Sequence, residues 1–138
     1  MEKISINIET LVGASVDEVW DYWTLPEHIV QWNTAIDTWH SPRAENDVTE
    51  GGKFNIRMEA KDGSFGFDFC GTYDIVVPNE YLEYTLEDGR KVKVIFTELG
   101  PNTHIEQEFE AESENSPEVQ QEGWQAILDN FKKYVENL

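Results

Sequence analysis

Three histidines, one cysteine and a large excess of carboxylates are the side chains with the widest chemical range in this chain. Their spacing argues against most of that range. His28, His40 and His104 form no H-x-x-x-H pair, and Cys70 has no second cysteine, so zinc-type ligand spacing is absent. Asp37 and His40 lie three apart, with no third ligand evident. No metal and no cofactor are expected. Gly51-Gly52-Lys53 is followed by Phe54, whereas a phosphate loop needs four residues between its glycines and a Ser or Thr after the lysine. The two glycines read instead as a bend into a strand. There is no G-x-S-x-G elbow, and Cys70 has no histidine partner in sequence. No catalytic residue is assigned.

The carboxylates are too many to be selective. There are 28 acidic against 10 basic residues, a net charge of −18. Such a chain repels phosphate backbones and anionic bilayer surfaces, so neither nucleic acid nor membrane is an expected partner. Spacing cannot single out a catalytic pair among so many acids, and most of them must be solvated. Glu106, Glu108 and Glu110 share one strand face and read as a charged, aggregation-resistant exterior. The acidity reads first as a solubility device, with recruitment of a partner bearing a basic surface as the alternative.

Binding chemistry is better represented. Trp20, Trp23, Trp32 and Trp39 account for four of the five tryptophans. With the charge excluding nucleic acid, such rings fill a core or line a cavity. Polar residues on inner faces would orient a ligand. Gln107, between Ile105 and Phe109, is the best case, and Tyr73 and Tyr84 offer hydroxyls from inner positions.

The elements that would position these groups follow from periodicity. Ile4, Ile6 and Ile8 alternate with polar residues, which predicts a half-buried strand. Ser15 and Glu18 have capping-box spacing, so a helix should start at Val16, with Val19, Trp20 and Trp23 on its apolar stripe. Thr24 and Glu27 repeat the box, with Pro26 in the first turn of a second short helix. Asp37 to Gly52 reads as a long loop with room for a short element of its own. Then come alternating strands: Phe54, Ile56, Met58 and Ala60; Phe65, Phe67, Phe69, Gly71, Tyr73, Ile75 and Val77; Leu82, Tyr84 and Leu86; Val92, Val94 and Phe96; Ile105, Phe109 and Ala111. Asp62-Gly63, Pro78-Asn79, Asp88-Gly89 and Gly100-Pro101-Asn102 are the turns between them. Cys70 alternates out of phase with Phe67 and Phe69, and Arg57 with Phe54 and Ile56, so both should leave the inner face. Ser116 and Pro117 open the last helix, whose stripe includes Val119, Trp124, Leu128, Phe131 and Val135. The predicted fold class is α+β: a curved antiparallel sheet of about six strands around a long C-terminal helix, with two short helices after the first strand. The 138 residues form one predicted domain. The lone cysteine and the lack of an apolar leader or membrane-long run fit a complete cytoplasmic protein.

This order resembles the helix-grip fold of the START-like (SRPBCC) superfamily. Within it, the chain is most similar to the family named after the C-terminal domain of the activator of Hsp90 ATPase. The resemblance rests on "VDEVW" at Val16–Trp20, "LPEHIVQW" at Leu25–Trp32, "GGKF" at Gly51–Phe54 and "DGSF" at Asp62–Phe65. It continues through "GTYDIVVPNEYLEYT" at Gly71–Thr85 and "EGWQAILDNFKKYV" at Glu122–Val135. Many relatives carry a second bulky aromatic directly after this tryptophan, where this chain has Asn33. The resemblance implies an apolar cavity between sheet and long helix. Its expected lining is Trp20, Trp32, Phe54, Ile56, Phe67, Tyr73, Tyr84, Gln107, Trp124 and Leu128, with Trp32 and its helix at the lip. The implied function is binding of a small apolar or amphipathic molecule. Two alternatives stay open: a protein-interaction module of the Hsp90-ATPase-activator type, and a cyclase- or hydratase-like enzyme.

Overall fold

The structure, a computed structural model, describes residues 4–138; the first three residues of the expected domain lie outside the described residues. Strand β1 (Ser5–Val12) buries Ile6, Ile8 and Val12 and leaves Ser5, Asn7 and Glu9 to solvent. Helix α1 (Val16–Thr24) opens on the expected capping box: Ser15 Oγ accepts the Glu18 N–H at 3.4 Å and donates to Glu18 Oε1 at 3.2 Å.

The start of α2 (Pro26–Trp32) differs from expectation. Leu25, not Thr24, is its N-cap, and no side chain caps it. The ring of Pro26 forces the residue before it into an extended conformation, so Leu25 becomes the boundary between the helices. Thr24 stays in the last turn of α1, and its hydroxyl donates back to the Trp20 carbonyl at 2.8 Å.

Seven strands, one more than expected, form a single antiparallel sheet in the order β1-β7-β6-β5-β4-β3-β2. The additional strand is β2 (Trp39–Asn46), inside the segment expected to be a loop. It is an edge strand paired with β3 (Lys53–Ala60), and Pro42 falls where its register shifts between His40 and Arg43. Proline lacks a ladder donor and is tolerated at such a place. The sheet continues through β4 (Gly66–Val77), β5 (Tyr81–Leu86), β6 (Lys91–Leu99) and β7 (Asn102–Glu110).

Strand β4 also departs from simple alternation. Tyr73 pairs with Tyr84 and Ile75 with Glu83, which leaves Asp74 as a bulge. The extra residue reverses the faces that follow. Ile75 and Val77, expected inside, are exposed, while Val76 packs against the core.

Helix α3 (Pro117–Glu136) is capped by Ser116, whose Oγ accepts the Val119 N–H at 3.2 Å. It lies along the free edge of β1. Gln121 and Gln125 donate to the carbonyls of Asn7 and Glu9 at 3.1 and 3.2 Å, Lys132 donates to that of Leu11, and Glu136 accepts the Gly13 N–H at 2.8 Å. The lengths match: about 22 Å of helix from Gln121 to Glu136 runs beside about 20 Å of strand from Asn7 to Gly13. An unpaired strand edge is thereby covered.

Candidate functional site

A cavity of about 420 Å³ lies between the inner face of the sheet and α3. Strand alternation supplies its floor, with Phe54, Ile56 and Met58 from β3, Tyr73 from β4, Tyr84 from β5 and Gln107 from β7. Helical spacing supplies its roof: Gln120, Gly123, Trp124, Ile127 and Leu128 recur at three- and four-residue steps along α3. Trp23 of α1, and Ile29, Trp32 and Asn33 at α2, close one end. Phe67, Asn115 and Val119, all solvent-exposed, form its rim.

Aromatic rings shape the interior. Phe54 is the hub of one group, 5.0 Å from Tyr84, 5.5 Å from Tyr73 and 5.7 Å from Phe69, centre to centre. It can lie there because β4 has a glycine opposite. A Cβ on Gly71 would come within 3.0 Å of the Phe54 ring and 2.6 Å of the Thr85 carbonyl oxygen. Trp124 stacks on Phe109 at 3.9 Å with planes 10° apart, and meets Phe69 edge-on at 5.9 Å. Phe131 wedges between Trp23 and Trp32, at 5.0 and 4.9 Å.

The polar groups of the lining are mostly paired with one another. Tyr73 donates its hydroxyl to Asn46 Oδ1 at 2.7 Å, and Asn46 Nδ2 donates to the Thr24 carbonyl at 2.7 Å. Tyr84 and Gln107 both border the cavity. Burial holds both phenols well above the usual tyrosine range, against the weaker opposing pull of Asn46 and Gln107, so both stay neutral. Gln120 donates to the carbonyls of Asn115 and Glu112 and accepts the Glu112 N–H, which ties down the loop before α3. Asn33 is the exception. It is 8% exposed, and among the described residues its Nδ2 is the one buried side-chain polar atom without a hydrogen-bond partner.

Of the ten residues expected here, Trp32, Phe54, Ile56, Phe67, Tyr73, Tyr84, Gln107, Trp124 and Leu128 border the cavity, and Trp20 does not. The Trp20 ring meets Phe96 edge-on at 5.4 Å, against β6, and its neighbour one turn on, Trp23, takes the cavity side. Trp32 is not at the lip. It is 5% exposed, its indole N–H donates to the Tyr22 carbonyl at 2.9 Å, and it forms an inner wall. The sequence reading missed Trp23, Ile29, Asn46, Met58, Phe69 and Arg90 as lining residues. Asn46 lay in the supposed loop and Arg90 beside a turn, so neither carried a periodic signal.

The groups with wider chemistry lie elsewhere. His28 Nδ1 is 2.7 Å from the Tyr134 hydroxyl, bridging α2 to α3, while His40 and His104 face Glu59 and Glu9 at 3.8 and 3.7 Å. Asp37 and His40 border a polar hollow on the far side of α2, together with Lys61 and Lys133. Among the described residues no three His, Cys, Asp or Glu side chains gather as a metal site. Cys70 is outside the cavity lining, and burial, reinforced by Glu87 and Asp68, raises its thiol pKa. Arg57 pairs with Glu59 at 2.7 Å and Asp68 at 3.6 Å, away from the cavity. Among the described residues no helix is long and apolar enough to cross a membrane.

Solved structures with this architecture come from several bacteria. An AHSA1-like protein from Aeromonas hydrophila is 42% identical, with a TM-score of 0.92 over 97% of this chain and 93% of that one. A protein from Cytophaga hutchinsonii is 50% identical, with a TM-score of 0.84 over 96% and 92%. One from Chromobacterium violaceum, 20% identical with a TM-score of 0.85 over 96% of each chain, shares the fold. No curated protein is significantly similar to this chain. Residues 13–136 match the family described as "Activator of Hsp90 ATPase homolog 1-like protein". With the helix-grip architecture and the two close relatives, that match means that the chain belongs to the AHSA1 family.

Proposed function

We propose that this protein binds a small apolar or amphipathic molecule between its sheet and α3, without covalent chemistry. The cavity carries this reading. Its volume of about 420 Å³ falls within the ~300–1,000 Å³ of small-molecule sites, and its lining is dominated by aromatic and aliphatic side chains with a few placed polar groups. A cyclase or hydratase would need an acid or base at the reacting atoms. The two enclosed phenols are held neutral by burial, and Tyr73 donates to the Asn46 amide, which suits positioning better than proton transfer. The lone Cys70 fits a reducing, cytoplasmic setting.

The test is thermal unfolding against fatty acids, sterols, flavonoids and quinones. A ligand at about a hundred times its dissociation constant adds about 2.7 kcal/mol, a rise of a few degrees for a domain of this size. A concentration-dependent rise with one class is the expected result. No rise with any class would transfer support to the alternative, an interaction module whose acidic face meets a basic partner. That alternative draws on the family description and on the outward row where Glu9 pairs with Glu106 beside Glu108. It requires a complex that weakens with salt.

A further inference from the structure

Two polar side chains on the cavity floor lack a partner and are not shut off from the space above them. Other polar groups of the lining are committed: Tyr73 to Asn46, Asn46 to the Thr24 carbonyl, and Gln120 to Glu112 and Asn115. Among the described residues, the Tyr84 hydroxyl and the Gln107 amide take part in no hydrogen bond, and only Asn33 Nδ2 is both unpartnered and closed off. Tyr84 and Gln107 are just 7% and 5% exposed, so the surface their polar atoms keep is that of the cavity they border.

Strand register explains why the sheet offers them nothing. Gln107 on β7 stands between Ile8 of β1 and Val94 of β6, with Ile105 and Phe109 before and after it on the same face. All four are buried and apolar. Tyr84 on β5 pairs with Tyr73, whose hydroxyl is already given to Asn46, and with Val92 on the other side. Val92 and Val94 share one face of β6, so the phenol and the amide flank a strip of valine. The amide is close enough to lower the phenol's pKa against the larger effect of burial. Above them α3 leaves room. Gln121 and Gln125 donate to the carbonyls of Asn7 and Glu9, either side of Ile8, which sets Gln107 across from those turns of the helix. There Gly123 has no side chain, and a Cβ on it would meet nothing within 4 Å.

Charge is the second constraint. Burial keeps the Tyr84 phenol neutral, and an amide has no charge to offer. Arg90 is the cation of the lining and Glu112 its anion, so their formal charges cancel. Arg90 is also engaged already, by Asp88 at 2.7 Å and by the Glu110 carbonyl at 3.5 Å. An ionised group seated between Tyr84 and Gln107 would lose its water without gaining a free counter-charge. A carbonyl oxygen fits them, because its two lone pairs can accept from the phenol O–H and the amide N–H together.

We propose that Tyr84 and Gln107 are the polar anchor of the cavity, and that its ligand is an uncharged, mainly apolar molecule whose carbonyl oxygen accepts from both while its body packs under Gly123 against Phe54, Trp124 and Leu128. This deepens the small-molecule reading above and rests on it. A carbonyl that displaces water from the pair reproduces the hydrogen bonds that water would make, so the same two groups give affinity and orientation.

Three dyes test this. Prodan is an uncharged dimethylaminonaphthalene ketone whose emission reddens when its carbonyl accepts a hydrogen bond. The second dye is the same dimethylaminonaphthalene without the acyl group, and the third, anilinonaphthalene sulfonate, is an anion. The wild type should bind prodan with red-shifted emission, and bind each of the other two about tenfold more weakly. Tyr84→Phe and Gln107→Met remove one polar group each at nearly constant size. Each should cut the preference for prodan over the acyl-free ring by about three- to tenfold and turn the bound emission blue. Two variants on different strands keep the result from hanging on one of them folding. An unchanged preference and emission in either folded variant, or equal binding of prodan and the acyl-free ring by the wild type, would overturn the anchor and leave the binding cavity intact. Sulfonate bound as tightly as prodan would overturn the uncharged class. Binding of none of the three by the wild type would remove the small-molecule reading itself.

Discussion

Tyr73 donates its hydroxyl to Asn46 Oδ1 at 2.7 Å, and that single bond ties the middle of the sheet to its outermost strand. Asn46 closes β2, and its amide in turn holds the Thr24 carbonyl at the end of α1. Three elements far apart in sequence thus meet at one corner of the cavity. Tyr73→Phe leaves the Asn46 acceptor with one partner fewer in a half-buried place. We expect a loss of about 1–2 kcal/mol, read from the urea midpoint. A change within a few tenths of that of an exposed Tyr→Phe control would show that the bond is not structural.

Gly71 and Phe54 make a second such pair. A methyl group at position 71 would press on both the Phe54 ring and the Thr85 carbonyl. Gly71→Ala should cost about 1–3 kcal/mol. Adding Phe54→Leu should recover part of that loss, because the ring is one of the two obstacles, and a double-mutant cycle measures the coupling. Strict additivity would place the conflict at the Thr85 backbone alone.

Gly123 separates stability from binding. It lies within α3 on the cavity side, and a Cβ there would touch nothing within 4 Å. Gly123→Ala should stabilise the protein by about 0.5–1 kcal/mol through helix propensity. Gly123→Phe should place a ring in the cavity and abolish any ligand-induced rise in melting temperature while the protein remains folded. Undiminished ligand response in a folded Gly123→Phe protein would put the ligand somewhere else.

Glu136 gives the acid limb a specific contributor. The Gly13 N–H, and then Lys132, hold its carboxyl below the ordinary value of 4.5. A depressed folded-state pKa contributes stability above the unfolded value, and that contribution is lost as pH falls through the folded value. Relative to Glu136→Gln, the wild type should therefore lose stability as pH drops below about 4.5. Parallel stability–pH curves for the two proteins would remove the coupling between α3 and the β1 edge from the acid transition.

Glu9 and Glu106 sit directly opposite each other on β1 and β7. Like charges so placed are destabilising, so Glu106→Lys should stabilise the protein by about 0.2–1 kcal/mol at low salt. The gain should shrink in high salt, since the pair is on the outer face. A gain that persists in high salt would have a cause other than charge.

Much of the architecture was local and therefore legible in one dimension. The alternation of β3 and β5, the Ser15–Glu18 box and the Ser116-Pro117 opening of α3 depend on neighbours a few residues away, and they appear where the periodicities put them. Phe54, Ile56, Tyr73, Tyr84 and Gln107, which border the cavity, followed from the same alternation. What the sequence could not show depends on distant partners. An edge strand such as β2 has one neighbour and one solvated side, so it carries little hydrophobic period, and Pro42 disguised it further. The bulge at Asp74 is invisible in the string, because apolar residues occupy both phases after it and only the β5 register decides which turn inward. Trp20 and Trp23 are equivalent on a helical wheel, and the packing of α1 against Phe96 and Phe131 divided their roles. The Asn33 amide was open to notice as a residue type, but the burial of its Nδ2 without a partner exists only in the folded chain. Composition and local period determined that this chain makes a curved sheet gripping a helix; long-range packing decided which side chains border the space between them.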